Sequence, residues 1–210
     1  MESSHHFFFN DTANTEIYTL SLQYVLPICT LEMDDVTITG TGNVVYFTGS
    51  SGSITKTTMV PVSGFGVNAT NSSATLNIER LTLIGPNTGT GIGLEMEDGV
   101  TLNMNSSVVD GFATGLSAVS TPNLYSNSFY NNSVHLSGEG IGSDLGDASY
   151  FNVNGDAADI YGNIFLDPLF EDRAAGDYRP TINSPLVDAG AAAELDLDGT
   201  VADIGREFYN

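Results

Sequence analysis

The sequence predicts an all-β fold, a right-handed parallel β-helix closed by a C-terminal cap, on three observations. From Val36 to about Phe165, short apolar runs alternate with polar residues at period two, the pattern of strands with one buried face. Nothing in that span keeps helical spacing long enough to bury a helix. The apolar positions also repeat. Leu76, Ile78, Leu83 and Gly85 return 26 residues later as Leu102, Met104, Val109 and Gly111. Leu102, Asn105, Ser106 and Asp110 return after 22 more as Leu124, Asn127, Ser128 and Asn132. Units of that length, with two or three short strands each, stack as coils about 4.8 Å apart and align equivalent positions into inward apolar and outward polar ladders.

In chain order, residues 1–28 stand apart. They carry no Lys or Arg, and the apolar stretch Leu20 to Leu31 is broken by Gln23 and Pro27, so the charge and apolar pattern of a secretory signal is missing. The stretch Asn10 to Ile28 resembles the conceptual translation of a sequencing-adapter oligonucleotide and departs from it only at Asn14, Gln23, Tyr24 and Val25. That resemblance implies a non-native leader; the alternative is a natural polar leader with an edge strand over Ile17 to Leu22. Coils are expected over residues 29–165, in runs such as Val44 to Phe47, Leu81 to Leu83 and Ile92 to Met96, and Thr90 to Leu94 is echoed by Thr114 to Ala118. A leucine-rich repeat has a similar period, but these leucines do not keep its spacing. An immunoglobulin-like sandwich also has short strands and turns, but it predicts no register kept from unit to unit. Asparagine tolerates left-handed backbone and bonds its own turn, so the 18 asparagines are expected at coil corners. Residues 166–210 form the expected cap. An open solenoid end must be covered, and Leu169 and Phe170 beside Pro168 are placed to seal the last coil.

Charge excludes several partners. With 26 acids against 5 bases the net charge is -21, and Lys56 is the only lysine. No basic surface for phosphate can be assembled, which excludes nucleic acid and disfavours an anionic membrane. No run of 18 apolar residues exists to span a bilayer. Cys29, alone, cannot form an intrachain disulfide.

The last 50 residues carry the most specific pattern. Gly162-Asn-Ile-Phe-Leu-Asp-Pro-Leu-Phe170 is followed by Ala175-Gly-Asp-Tyr-Arg-Pro180, then Asn183-Ser-Pro-Leu-Val-Asp-Ala-Gly190, Asp196-Leu-Asp-Gly199 and Ala202-Asp-Ile-Gly205. Over residues 160–208 this order resembles the tail of bacterial right-handed β-helix repeat proteins, the group labelled choice-of-anchor or polymorphic-outer-membrane-protein-like. Pro180, the short link from Gly199 to Ala202, and Arg206 depart from the pattern. The resemblance implies an extracellular or cell-surface protein, a monomer or one module of a longer chain. It implies no particular enzymatic activity, and the function expected of the chain is a recognition or adhesion scaffold.

Two candidate sites follow from the residues. Tyr125, Asn127, Tyr130 and Asn131, with Asn132 beside them, make a polar and aromatic patch suited to stacking on a sugar and hydrogen-bonding it, so a polysaccharide or cell-surface glycan is the expected partner. Glu194, Asp196 and Asp198 place oxygens at alternate positions before Gly199, as in the first half of an EF-hand loop, which makes calcium the candidate cofactor. The second half of that loop is missing, since Gly205 stands where the bidentate Glu belongs. A degenerate glycoside hydrolase or lyase of the same fold is the alternative function. Its acids would be Glu95, Glu97, Asp98 and Asp110, its bases Arg80 and Lys56, and convergence of such groups in one groove would favour it. His135, between Val134 and Leu136, is most simply an outward strand residue.

Overall fold

The computed structural model describes residues 30–40, 44–48, 51–70, 73–87, 89–196 and 198–209. The leader, its alternative edge strand and Cys29 lie outside them. The described chain is a parallel β-solenoid. Its first rung is β1 (Thr30–Asp34), β2 (Thr37–Gly40) and β3 (Val45–Thr48); its second is β4 (Ser51–Pro61) and β5 (Phe65–Thr70). The third holds β6 (Thr75–Ile84) and β7 (Ile92–Met96), the fourth β8 (Thr101–Asn105), β9 (Val108–Asp110) and β10 (Thr114–Ala118). The fifth holds β11 (Asn123–Tyr125), β12 (Ser128–Tyr130) and β13 (Val134–Ser137). Successive rungs pair in parallel, one sheet running β1-β4-β6-β8-β11 and the other β13-β10-β7-β5-β3.

The inward ladders form because period two puts every second side chain on the interior. Leu76 pairs with Leu102 and Leu83 with Val109 on neighbouring rungs, all of them buried, as the 26-residue repeat predicts. The next repeat is corrected. Met104 pairs with Leu124 and Val109 with Phe129, twenty residues apart rather than 22. Leu94 likewise faces Leu116, not Ala118. A slip of two leaves every apolar side chain on the inner face, so the pattern alone cannot tell the registers apart.

Each rung turns a corner at a residue with positive φ: Asp35 after β1, Lys56 within β4, Arg80 within β6, Ser106 after β8 and Ser126 after β11. Lys56 therefore stands at a corner of β4. The expected asparagine corners are only partly found. Asn87 and Asn131 are left-handed, but Asn127 and Asn132 brace the rung before their own. Asn127 Oδ1 accepts from Ser107 N–H at 3.1 Å and its Nδ2 donates to Met104 O at 3.0 Å. Asn132 does the same with Phe112 N–H (3.0 Å) and Val109 O (2.9 Å).

Beyond the fifth rung, Ile141, Leu145 and Phe165 pack against the interior cluster. Leu169 does not seal it. Asp167 Oδ1 accepts Leu169 N–H and turns the chain aside, leaving Leu169 40% exposed, while Phe170 packs half-buried on a different cluster. After a short antiparallel pair, β14 (Tyr150–Phe151) with β15 (Ala157–Ala158), the strands β16 (Phe170–Asp172) and β17 (Asp177–Pro180) form an antiparallel hairpin around a 3-10 turn at Arg173–Ala175. The chain then returns along the outside of the solenoid as a strap. Leu186, Ala189 and Ile204 bury Val108 with Ala158 and Ile164 in a second small core. Gly205 N–H donates to Ser106 O at 2.7 Å, Arg206 N–H to Thr82 Oγ1 at 2.9 Å, and the Arg206 guanidinium to Thr37 Oγ1 at 2.6 Å and Asp35 Oδ1 at 3.0 Å.

Candidate functional site

The residues expected to form a sugar-binding patch separate in the structure. Tyr125 ends β11 with half its surface exposed and meets Tyr161 edge-on at 5.7 Å between ring centres. Asn127 is wholly buried; Asn163 Oδ1 accepts from both its N–H and its Nδ2 at 3.0 Å. Its carboxamide is committed to bracing rungs and faces no solvent. Tyr130 and Asn131 lie at a second corner with a different neighbourhood. There Tyr130 Oη donates to Asp167 Oδ2 at 3.3 Å and Asn131 Nδ2 to Asn87 Oδ1 at 2.7 Å. Behind them Asp110 is buried, with Arg173 Nε on its Oδ2 at 2.7 Å. Burial pushes the Asp110 carboxyl up, and Arg173 opposes that rise.

Tyr125 belongs instead to the outer face of the first sheet, which spacing of apolar residues could not single out. Three outward ladders cross it. The middle one is Ser53, Asn77, Asn103 and Asn123, in which Asn123 Nδ2 donates to Asn103 Oδ1 and Asn103 Nδ2 to Asn77 Oδ1, each at 2.8 Å. On one side run Ser51, whose Oγ accepts from Thr75 N–H, then Thr75 and Thr101; on the other Thr55, Glu79, Asn105 and Tyr125. From the second rung to the fifth, Glu79 is the only charged side chain on these ladders. In a chain carrying 26 acids, that is a marked local neutrality.

The acids named for catalysis are dispersed. Glu95 lies on the other sheet, where Asn68 Nδ2 donates to its Oε2; burial pushes its carboxyl up, against the Asn68 hydrogen bond and with the charge of Glu97. His135 packs 5.4 Å from Phe165, and burial lowers its pKa, favouring the neutral ring. Arg80 meets acids, but from the strap. Its Nη2 is 2.9 Å from Asp196 Oδ1, and both side chains are buried. A groove of about 510 Å³ opens where the strap crosses the first two rungs, lined by Thr37, Thr39, Thr58, Tyr178, Arg179 and Arg206 among others.

Glu194, Asp196 and Asp198 do not converge on one point. Both Asp196 oxygens are engaged, Oδ1 by Arg80 and Oδ2 by Asp203 N–H at 2.9 Å, while exposed Asp198 accepts from Thr200 N–H and Oγ1. Burial raises the Glu194 carboxyl. Among the described residues no group of three or more His, Cys, Asp or Glu is placed to hold a metal ion. Millimolar calcium is therefore expected to leave the melting temperature unchanged, with or without chelator. A rise with the logarithm of calcium concentration, weakened by Asp198→Asn, would assign an ion to this turn.

The strap carries a pH response of its own. Asp203 is nearly fully buried, and burial pushes its carboxyl from 3.8 up to about 6, although Tyr209 and Asp188 N–H groups donate to it. A carboxyl whose folded pKa exceeds its unfolded one binds its proton more tightly when folded. Its contribution to stability is complete below about 3.8 and is lost as pH rises through about 6. The raised Asp110, Glu95 and Glu194 act in the same direction. The denaturation midpoint is expected to rise from pH 7 to pH 5, and Asp203→Asn to remove much of that rise. An Asp203→Asn variant with the full pH dependence would refute the assignment.

Comparison with protein-family models, with curated proteins and with solved structures finds no match.

Proposed function

We propose that this chain is a secreted or cell-surface recognition scaffold that holds a glycan on the outer face of its first sheet and performs no catalysis on it. The observation that carries the reading is the outward-facing triple ladder ending in exposed Tyr125, in which Glu79 is the one charged side chain from the second rung to the fifth. Amide and hydroxyl groups in fixed rows offer donors and acceptors to sugar hydroxyls, and the Tyr125 ring offers a stacking platform. A right-handed coil is the sense expected of parallel strands joined by crossover connections. The strap supports the view of the tail as a closing element, along the side of the solenoid as much as at its end.

The rival enzyme draws on one corner. There Asp110, Asp167, Tyr130 and Arg173 meet, and a buried carboxyl with a raised pKa has the character of a general acid. Its ion pair with Arg173 holds Asp110 inside the wall, which favours a structural role. One experiment separates the two readings. The protein is incubated with a panel of polysaccharides, and bound protein and released reducing ends are measured together. Binding without release is the expected result. Release that vanishes in Asp110→Asn would transfer the function to the enzyme.

A further inference from the structure

We infer that the ligand of this face is the surface of an aligned, neutral polysaccharide, with β-linked chains lying parallel to the solenoid axis, and not a single soluble oligosaccharide. The inference rests on the recognition reading above and adds the physical state, charge class and direction of the ligand.

Three features of the face point there. The first is its lattice. Along the axis, equivalent side chains repeat at the rung spacing of about 4.8 Å; across it, alternate residues of a strand stand roughly 6.7 Å apart. A chain of extended β-linked sugars lying along the axis crosses Ser53, Asn77, Asn103 and Asn123 in turn, one rung after another. Neighbouring ladders can serve neighbouring chains, which only an ordered array presents. The second is preorganisation. The Asn123–Asn103–Asn77 chain of amide hydrogen bonds fixes the rotamers of exposed side chains before any ligand arrives. A rigid protein lattice against a rigid ligand lattice avoids the ordering cost that a free oligosaccharide brings to each contact. Many weak contacts in register then add as one multivalent event. The third is charge. Outward acids gather at the first rung, where Glu32 and Asp34 precede Ser53 and Thr55 in the ladders, and beyond it Glu79 is the one acid in the rows. A polyanionic glycan would meet the field of a chain with net charge -21, whereas a neutral one does not.

The test mixes the protein with microcrystalline cellulose, with soluble cellohexaose and with polygalacturonate. Sedimentation with cellulose, insensitive to added salt and without measurable binding of the hexaose, is the expected result. Tyr125→Ala and Asn103→Asp should each weaken that binding about tenfold, with melting temperatures near that of the parent. Binding of the hexaose as strongly as of cellulose, through Tyr125, would overturn the inference and leave the recognition reading standing. Preference for polygalacturonate would overturn the neutral class. Retention on cellulose unaffected by either variant would place the contact on another face and overturn the inference. Failure to retain the protein on any glycan would overturn both the inference and the reading beneath it.

Discussion

Leu102→Asp is expected to cost 3 kcal/mol or more, on the order expected for an unpartnered carboxylate placed among apolar side chains. Leu102 is 1% exposed, and its neighbour in the ladder is Leu76 on the rung below. Among the described residues no Lys or Arg lies on that side of the sheet. The four arginines and Lys56 are at corners, on the strap or in its hairpin. The carboxylate must therefore protonate or force the rung open. Urea denaturation followed by circular dichroism measures the loss, and a variant within 1 kcal/mol of the parent would show that the ladder does not face inward. The same substitution at Asn103, one residue on and outward, is expected to be nearly silent.

Arg80→Ala should cost a comparable amount, about 3 to 5 kcal/mol, because it strands Asp196 without its cation. Asp196 has a side chain only 3% exposed, and Arg80 Nε also reaches Gly205 O at 3.5 Å. Removing the guanidinium thus leaves a buried charge and frees a strap carbonyl. Replacing both partners with apolar residues, Arg80→Met with Asp196→Leu, should recover much of the loss, since desolvating the pair offsets most of its attraction. A double-mutant cycle gives the coupling directly. Single variants whose costs simply add would mean that the ion pair does not hold the strap.

The inner ladders were legible in the sequence because apolar alternation leaves few choices for which face of a strand is buried. Leu76 and Leu102 could be matched by inspection, and the structure pairs them. Rung register was harder. A slip of two moves Leu124 from Leu102 to Met104 without exposing anything, so only hydrogen-bond geometry decides it. The left-handed corners were hidden for another reason. Asp35 is a residue type that favours positive φ, but Lys56 and Arg80 are not, and the rungs above and below impose the conformation on them. Asn127 reads as a surface residue because its sequence neighbours, Ser126 and Ser128, are polar, while its carboxamide serves Ser107, Met104 and Asn163 elsewhere in the fold. The near-neutral outer ladders of the first sheet are not legible in the sequence, because their composition becomes visible only when residues from separate coils are laid side by side.

The strap changes what kind of object the solenoid is under strain. Stacked coils that touch only their neighbours come apart from an end, one layer at a time, like beads leaving a string. Here Arg206 grips Asp35, 171 residues earlier, while the adjacent Gly205 holds Ser106 and Arg80. Tension or heat applied to the first layer is passed directly to the third and fourth. The layers spanned by the strap therefore share one barrier to opening in place of a ladder of small ones. During synthesis the order reverses: the early layers stack first and stay separable until the segment around Arg206 emerges and binds them into one cooperative unit.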